Sequence, residues 1–558
     1  MRLIVDINSS QKAANILSGD VLLTSNKSVA SELDNARLID YSCLDQDTRT
    51  AKAIDDYFNQ LPSSFAPFKN EYYMRVFRPV FAIIFQIQRE CKLSGIKVIV
   101  LERSAGFPFI TLFGGMGEGE KLFFKDSWLL NYFIVEYFKD SYVCEYEGAP
   151  HSLRLFYHFR EIIIIVIRLA RLSLRSILYR SKGNSLLEKK KYWIFVDLPL
   201  QVAHFKNTFK SLSNENSVFI STSKIDVGDS AEFFDYTPSL SNISLALIRF
   251  FKDINSCKQV SEGMSIMCNN IAVSNRYVYK SIIISYVQYY SRISYFDDLV
   301  SFESVQYKPT ILSNMTFGTD ISLVHHIASK AGLIHCNYQA VNMPRMCYPK
   351  VDLADRFYMY NEDSLSFYSR LHRSYQYYLP IFEEFCRPLD SPIVLVVFTQ
   401  PDSFTNDYIE LLRKLSKAVH DNGLNISVVV KLHYRQDRVK EFKEIVSTSK
   451  SMVLAREEQT VPSLLMSATF ALSITSAVLF EAFQYGCPGL IYDLGEVNSK
   501  YTLHNCVKNV NMTIISFEGL LEVLSMPEKF HNIYDARRRS YLAQKSLAIN
   551  TPIEELLG

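Results

Sequence analysis

Short apolar runs rich in valine and isoleucine alternate along this chain with longer stretches in which apolar residues recur every three or four positions. The short runs have the length of buried strands, and the longer stretches have the period of amphipathic helices. A repeated strand-helix order is typical of parallel sheets with crossover helices, so the chain is predicted to be an α/β protein. In the first half, the clearest predicted strands are RLIVDI, DVLLTS, IKVIVLE and YWIFVDLP.

The pattern is most regular in the second half. It alternates the predicted strands SPIVLVVFTQP, NISVVVKLHY, SMVLAR, FALSIT and CPGLIYD with the predicted helices NDYIELLRKLSKAVHDNG, VPSLLMSA and SAVLFEAFQYG. This series predicts a Rossmann-like lobe from about 380 to about 525, with its first helix ending at Gly423. The last stretch, from Glu528, is predicted to be helical and to pack back onto the first lobe.

The length of 558 residues exceeds what one hydrophobic core usually supports. We therefore expect two Rossmann-like lobes with a cleft between them. The predicted division is an N-terminal lobe over 1–379, a C-terminal lobe over 380–530 and a C-terminal helical segment over 531–558. Between Ser217 and Ile243 the pattern is too weak to place elements.

Composition narrows the class of protein. A hydrophobic fraction of 48% with 21% charged residues is typical of a globular chain, and the net charge of +2 gives no sign of a nucleic-acid partner. The ten cysteines are scattered singly, without a CxxC pair, which favours reduced thiols. The first residues continue as strand and helix and resemble no export signal, so we expect a cytoplasmic protein.

One segment, 160–191, is strongly basic. It carries nine lysines and arginines against Glu161 and Glu188. Its apolar run, 162–167, is far shorter than the roughly 20 residues of a membrane-spanning helix. Apolar residues and arginines at helical spacing instead suit a helix lying on an anionic membrane, and the alternative is a core helix whose arginines reach solvent. We expect this basic segment to be an insertion in the first lobe.

Candidate donor-binding residues follow two predicted strands. Lys431, His433 and Arg435 end NISVVVKLHYR, and Thr475 and Ser476 join FALSI to the next helix, which carries Glu481. Strand ends in Rossmann-like lobes hold nucleotide phosphates, to which imidazole and hydroxyl groups donate hydrogen bonds and cations supply charge. The alternatives are a strand-end histidine and a routine hydroxyl N-cap, but the two motifs together favour a nucleotide site.

These motifs resemble the HP and SS motifs of bacterial sialyltransferases and polysialyltransferases, and of related capsule-polysaccharide transferases with the GT-B fold. Tyr434 replaces the family's proline and Thr475 its first serine. The resemblance implies that His433, Thr475 and Ser476 contact the phosphate of CMP and that Glu481 holds its ribose. It also implies an inverting reaction without a metal ion, and we expect no other cofactor.

The same family carries two acids followed by glycine, the second acid being the general base. The nearest match here is Tyr146-Glu147-Gly148, in which Glu147 would accept the proton of the acceptor hydroxyl. Glu118 and Glu120, in the glycine-rich run GGMGEGEK, are alternative bases. A third alternative is that these acids belong to surface turns.

Further polar residues follow the apolar run GLI. His335 and Gln339 are candidates to face the interlobe cleft, whereas His325 and His326 are predicted to be structural residues of a helix.

The resemblance implies a transferase that moves a nonulosonic acid, such as sialic acid, from a CMP donor to a bacterial surface glycan. That glycan would be a capsule, O-antigen or lipooligosaccharide. A lipid-linked acceptor would suit the basic segment and its membrane. The alternatives are a transferase for a UDP-sugar or CDP-polyol, a sugar-nucleotide epimerase, and an inactive scaffold subunit.

Overall fold

The chain divides into two compact units. The first comprises Met1–Val202, Ser213–Asn337 and Arg345–Asp355, and the second comprises Ala203–Leu212, Tyr338–Pro344 and Arg356–Gly558. In the computed structural model of the protein the following residues are described: 1–6, 19–24, 33–38, 55–56, 59, 61–68, 78–101, 134–135, 137–138, 140–146, 166–167, 169–174, 176–177, 187, 189–196, 201–202, 205–206, 209, 212–221, 232–235, 237–261, 275–299, 308–314, 319–339, 354–359, 365, 369, 373–376, 393–400, 404–433, 436, 438–474, 476, 478–494 and 512–548.

The first sheet has five parallel strands in the order β3-β2-β1-β4-β5. Its buried residues Leu3, Val5 and Ile99 come from the apolar runs predicted to be strands. The strands are β1 (Arg2–Asp6), β2 (Val21–Thr24), β3 (Ala36–Leu38), β4 (Val98–Leu101) and β5 (Val143–Tyr146).

The second sheet has seven strands in the order β12-β11-β10-β9-β6-β7-β8. Every strand pair whose register is described is parallel. The strands are β6 (Tyr192–Phe195), β7 (Ser217–Ser221), β8 (Phe233–Asp235), β9 (Thr310–Ser313), β10 (His335–Tyr338), β11 (Arg356–Met359) and β12 (Ser374–Gln376).

The third sheet has six parallel strands in the order β15-β14-β13-β16-β17-β18. This order is 3-2-1-4-5-6 in chain sequence, the order of a doubly wound Rossmann sheet. The strands are β13 (Ile393–Phe398), β14 (Ile426–Lys431), β15 (Met452–Leu454), β16 (Phe470–Ser473), β17 (Gly489–Tyr492) and β18 (Met512–Ile515).

The helices connect and cover these sheets. Residues 166–177 are helical wherever they are described. The helices whose bounds are defined are α1 (Arg78–Ser94), α2 (Leu240–Ser261), α3 (Asn275–Leu299), α4 (Thr319–Lys330), α5 (Thr405–Asp421), α6 (Val439–Ser447), α7 (Val461–Ser467), α8 (Val478–Gln484), α9 (Phe517–Ser525) and α10 (Pro527–Ala548). No helix among the described residues is both long and apolar enough to cross a membrane.

The predicted α/β class with parallel sheets is confirmed. The strands and helices predicted over 393–492 are all present, and α5 gives way at Gly423, whose φ of 59° is the left-handed conformation that glycine adopts readily. The range predicted to be one N-terminal lobe contains two parallel sheets. The boundaries 1–379, 380–530 and 531–558 stay predictions.

Elements also occur between Ser217 and Ile243, where no element was predicted. β7 and β8 are only five and three residues long, and α2 begins at Leu240. Such short strands give little alternation to recognise, because their burial depends on neighbours distant in sequence.

The predicted C-terminal helix is present as α10. Its first half packs on the six-stranded sheet's lobe: the His531 ring lies 5.3 Å from that of Phe470, and the Tyr534 ring lies 6.5 Å from that of Phe483. The Arg538 guanidinium lies 3.5 Å from where a Cβ on Gly486 would be, so a side chain there would press on this cation. Packing of the helix against the first lobe remains a prediction.

Candidate functional site

The candidate site lies at the carboxyl edge of the six-stranded sheet. Strand order reverses between β13 and β16, so the crossovers on either side of this point leave in opposite directions. Ligands of open α/β sheets bind in the crevice outside such a switch point. The chain segments that reach this edge from β13, β14 and β16 are 399–400, 431–433 and 474–476.

The ends of β13 and β14 are tied together by Thr399. Its backbone N–H donates to the Lys431 carbonyl at 3.0 Å, and its hydroxyl oxygen accepts the His433 backbone N–H at 3.1 Å. The His433 carbonyl in turn accepts the Gln436 backbone N–H at 2.9 Å, which turns the chain back. His433 is thus held, half-buried, beside the switch point. Tyr434 and Arg435 lie outside the described residues.

The Lys431 ammonium contacts the loop after β15. Its Nζ donates to the Gln459 carbonyl at 2.7 Å and lies 3.5 Å from that of Arg456. In this arrangement the lysine holds the loop beside the sheet edge. Its predicted charge contact with a phosphate is a separate role.

The turn after β16 is fixed by a buried hydroxyl network. The Ser473 hydroxyl donates to the Phe398 carbonyl at 2.8 Å, so its oxygen accepts from the Tyr408 hydroxyl, also at 2.8 Å. The Tyr408 oxygen accepts the Ile474 backbone N–H at 2.9 Å. Tyr408 stands on α5 and is fully buried, and burial raises the pKa of its hydroxyl. The network therefore sets the direction in which the chain leaves β16.

Ser476 caps the helix that follows. Its Oγ accepts the Val478 backbone N–H at 3.3 Å, which is the ordinary capping contact. The hydroxyl proton is left to donate elsewhere, since a hydroxyl both accepts and donates. Ser476 is half-buried, and Thr475 lies outside the described residues.

Glu481 is the acid nearest this edge in sequence, one turn into α8. It is partly buried, and burial raises the pKa of its carboxyl to about 7. Its carboxylate makes no hydrogen bond to a residue in the part of the chain that the structure describes. A carboxyl with this pKa can hold or release a proton near neutrality, a property common at functional sites.

Glu147, Glu118 and Glu120 lie outside the described residues. Tyr146 is the last residue of β5, so Glu147 directly follows a strand of the five-stranded sheet.

A second polar cluster joins the end of β9 to the neighbouring strand β10 in the seven-stranded sheet. The Ser313 hydroxyl donates to Asn337 Oδ1 at 2.7 Å, and His335 Nε2 lies 2.8 Å from the same hydroxyl oxygen. Because serine has one proton to give, His335 is the donor of the second bond. All three side chains are at most 1% exposed. The predicted candidates His335 and Gln339 are therefore buried, with Gln339 at 2% exposure.

Sequence reasoning missed several residues of both edges. Each missed serine or threonine ends or directly follows a predicted or observed strand, in the runs VVFTQ, FALS and ILSN. A search for polar residues at strand ends would have found them, but Tyr408 lies in the middle of a helical pattern and gives no such signal. The missed residues are Ser313, Asn314, Asn337, Thr399, Tyr408 and Ser473.

Within the described ranges, no three His, Cys, Asp or Glu side chains are grouped so as to hold a metal ion. The described cysteines Cys91, Cys144 and Cys487 are free thiols.

No known family profile and no curated protein sequence matches the chain. It is similar to the structure of an α,α-trehalose-phosphate synthase (UDP-forming) from Burkholderia vietnamiensis, at 8% identity over 64% of this chain and 95% of that chain, with a TM-score of 0.40. A UDP-GlcNAc 2-epimerase from Neisseria meningitidis is 11% identical over 64% and 99%, with a TM-score of 0.39. The calicheamicin glycosyltransferase CalG4 is 9% identical over 64% and 95%, also at 0.39. Likeness at this level does not establish a shared fold or activity.

Proposed function

We propose that this protein is a GT-B-type glycosyltransferase that moves a nonulosonic, sialic-acid-like sugar from a CMP donor to a bacterial surface glycan. One observation carries the proposal. The KLH motif and the TS motif, 42 positions apart in sequence, follow strands β14 and β16, which flank β13 at the switch point of a Rossmann-ordered sheet. Neither motif alone distinguishes a nucleotide site from a strand end and a helix cap.

Each residue has a role in this proposal. His433 and the hydroxyls of Thr475 and Ser476 donate to the phosphate of CMP, while Lys431 and Arg435 add positive charge near it. The contacts that hold Lys431 to the loop after β15 leave its charge close to the same edge. Glu481 holds the ribose. These groups stabilise the departing phosphate without a metal ion or another cofactor.

The reaction is a single displacement. A hydroxyl of the acceptor attacks the anomeric carbon as CMP leaves with the bonding electrons on its phosphate oxygen, so the configuration inverts. Glu147 takes the proton of the attacking hydroxyl, with Glu118 and Glu120 as the alternative bases. In this scheme, 1–379 binds the acceptor, 380–530 binds the donor and 531–558 is a helical segment.

We place the protein in the cytoplasm, at the inner face of the membrane, with a lipid-linked glycan as acceptor. Support comes from the basic segment, whose described residues include the exposed Arg171 and the exposed apolar residues Ile167 and Leu174. Arginines and apolar side chains on one helix suit an anionic lipid surface.

Calorimetry with CMP, UDP and CDP tests the donor. We expect CMP to bind more tightly than UDP and CDP, because the motif resemblance is to CMP-dependent enzymes. Tighter binding of UDP would turn the proposal toward a UDP-sugar transferase or an epimerase, and tighter binding of CDP toward a polyol-phosphate transferase. Absence of binding by all three nucleotides would favour an inactive scaffold subunit.

A further inference from the structure

Helix α2 has two apolar faces. Its inner face is buried: Ile243, Ala246 and Phe250 are each at most 3% exposed. This face is anchored to α3, since the Phe250 ring lies 5.1 Å from that of Tyr286 and Asn242 Nδ2 donates to Asp298 at 2.8 Å. The helix is thus held firmly by one side.

The outer face of α2 is also apolar, and it is exposed. Leu245, Ile248 and Phe251 follow one another at three-residue spacing and are 59%, 65% and 56% exposed. Leu240 continues the same side of the helix at 44% exposure. An ordinary surface helix is polar on its outer face, whereas α2 exposes apolar side chains to water there.

Exposed apolar side chains are concentrated on two helical stretches of the described chain. Fifteen large apolar residues of the described chain are exposed, and eight of them lie either on α2 or in the helical residues 166–177 of the basic segment. Single exposed apolar residues are normal on a protein surface, whereas a cluster marks an interaction site. The four of the basic segment are Val166, Ile167, Leu174 and Ile177.

The charges of α2 indicate the kind of partner. Apart from its apolar residues, the exposed side chains over 240–256 are serine, asparagine, Arg249 and Lys252. The one acid of the helix, Asp253, accepts a hydrogen bond from the Tyr286 hydroxyl and lies 3.9 Å from Arg249. The Arg249 guanidinium lies over the Tyr290 ring, 4.0 Å from its centroid, so Lys252 is the cation left beside the apolar residues of 240–256. The outer face therefore combines apolar side chains with the positive charge of Lys252 and no exposed carboxylate.

We propose that the outer face of α2 docks into the surface of an anionic membrane. Helices of this composition lie in the interface with their apolar side chains about 5–10 Å deep, while lysine and arginine meet the lipid phosphates. No described helix can span a bilayer, so the contact is interfacial. This inference rests on the proposed membrane partner of the basic segment, but it does not depend on the sugar donor.

Sedimentation of the full-length protein with vesicles tests the inference. The variant Leu245→Ser/Ile248→Ser/Phe251→Ser is compared with wild type on phosphatidylglycerol-containing and pure phosphatidylcholine vesicles. We expect the partition coefficient on anionic vesicles to fall by about tenfold or more, because three inserting side chains are lost. The binding that wild type retains in about 0.5 M NaCl should disappear as well, since salt screens charges but leaves apolar insertion intact.

Two control variants distinguish a role of α2 from a general effect of removing exposed apolar residues and from a role of the basic segment. Val453→Ser/Ile533→Ser removes apolar residues that are 51% and 44% exposed elsewhere, and should bind vesicles as wild type does. Arg168→Gln/Arg171→Gln/Arg175→Gln tests the basic segment and should weaken binding mainly at low salt. Melting curves and heats of CMP binding on every variant show whether the fold and the donor site are intact.

The outcomes are distinct. If the α2 variant binds like wild type while the arginine variant does not, the α2 inference is overturned and the basic segment stands. If the wild-type protein binds no vesicles, both membrane claims are overturned, whatever the CMP result. Light scattering that shows a dimer dissociated by the α2 changes, without vesicle binding, would make this face an interface between copies and would also overturn the inference.

Discussion

Numbered along the chain within each sheet, the strands of the six-stranded sheet have the order 3-2-1-4-5-6, and those of the seven-stranded sheet have the order 3-2-1-4-5-6-7. The two sheets differ at the edge where this order reverses. In both, the fourth strand ends on a fully buried serine, Ser473 in one and Ser313 in the other. Beyond Ser473 the chain reaches partly buried residues with capacity for a ligand, such as Ser476 and Glu481. Around Ser313, the described polar side chains Asn314, Asn337 and Gln339 are closed off from solvent.

The two serines also face different partners. Ser473 bonds the first strand and, through Tyr408, the backbone of Ile474, so it directs the chain outward at the switch point. Ser313 bonds Asn337 and His335 of the fifth strand, so it links neighbouring strands within the sheet. We therefore expect the same topology to supply a ligand crevice in the six-stranded sheet, whereas in the seven-stranded sheet it supplies an internal cross-link, with the side chains at the edge deciding which.

We call the buried edge of the seven-stranded sheet around Ser313, Asn337 and His335 the closed edge. Asn314, which follows Ser313, adds a free-energy cost to it. Asn314 is 2% exposed, and neither its Oδ1 nor its Nδ2 has a hydrogen-bond partner among the residues that the structure describes. A buried polar group without a partner typically costs about 1–3 kcal/mol. The closed edge thus carries a cost that a well-satisfied core position lacks.

The largest expected effect is on the rate of sugar transfer, and it comes from changing the proposed base, Glu147. Glu147→Gln should slow sugar transfer by about 10²–10⁴-fold, because the amide keeps the shape but cannot accept the hydroxyl proton. CMP should bind as it does to wild type, since the donor residues belong to the six-stranded sheet. Initial-rate assays with Glu118→Gln and Glu120→Gln as controls check this. If Glu147→Gln stays active while one of the two control variants is inactive, the base lies in the glycine-rich run.

The next effect tests the carboxyl edge of the six-stranded sheet around His433, Ser476 and Glu481, which we call the open edge. His433→Ala should weaken transfer by on the order of 2–4 kcal/mol, because a contact that strengthens as charge develops on the phosphate is lost. Steady-state kinetics and CMP titration measure it. His420→Ala is the matched control, since the His420 side chain is 90% exposed on α5 of the same lobe. Equal kinetics in the two variants would reduce His433 to a strand-end residue.

Because of Glu481, we expect the free energy of unfolding to depend on pH. Burial raises the pKa of its carboxyl from 4.5 to about 7, so folding disfavours the ionised form. The cost is absent below about pH 4.5, grows as pH rises, and is complete above pH 7. Glu481→Gln should therefore be more stable than wild type by about 3 kcal/mol at pH 8 and no more stable at pH 4. Urea unfolding across this range measures the difference, and a gain that does not vary with pH would contradict it.

The smallest effect separates the two serines. Ser473→Ala and Ser313→Ala should each lower the free energy of unfolding by about 1–2 kcal/mol, since each leaves buried polar partners unsatisfied. Only Ser473→Ala should also weaken CMP binding, because it releases the turn that leads to Ser476. Denaturation paired with calorimetry measures both quantities. Equal loss of CMP affinity in the two variants would show that the edges do not differ in function.

The sequence predicted the open edge better than the closed one, for a physical reason. In 393–492, strands and helices alternate without interruption, and polar residues stand at the strand ends, so local pattern and final position agree. Between Ser217 and Ile243 the strands are very short. The pairing of Ser313 with His335 and Asn337 depends on strands 22 and 24 positions away, and Tyr408 reaches Ser473 across 65. Contacts of this kind arise from packing, which local periodicity does not encode.

Hydrogen exchange of the full-length protein with and without CMP tests the central claim most directly. We expect slower exchange on CMP addition in peptides covering 398–400, 431–436 and 474–481, because ligand binding suppresses local opening of the open edge. Peptides covering 311–314 and 335–339 should be unchanged. Protection at the closed edge with none at the open edge would contradict the assignment of the donor site to the six-stranded sheet.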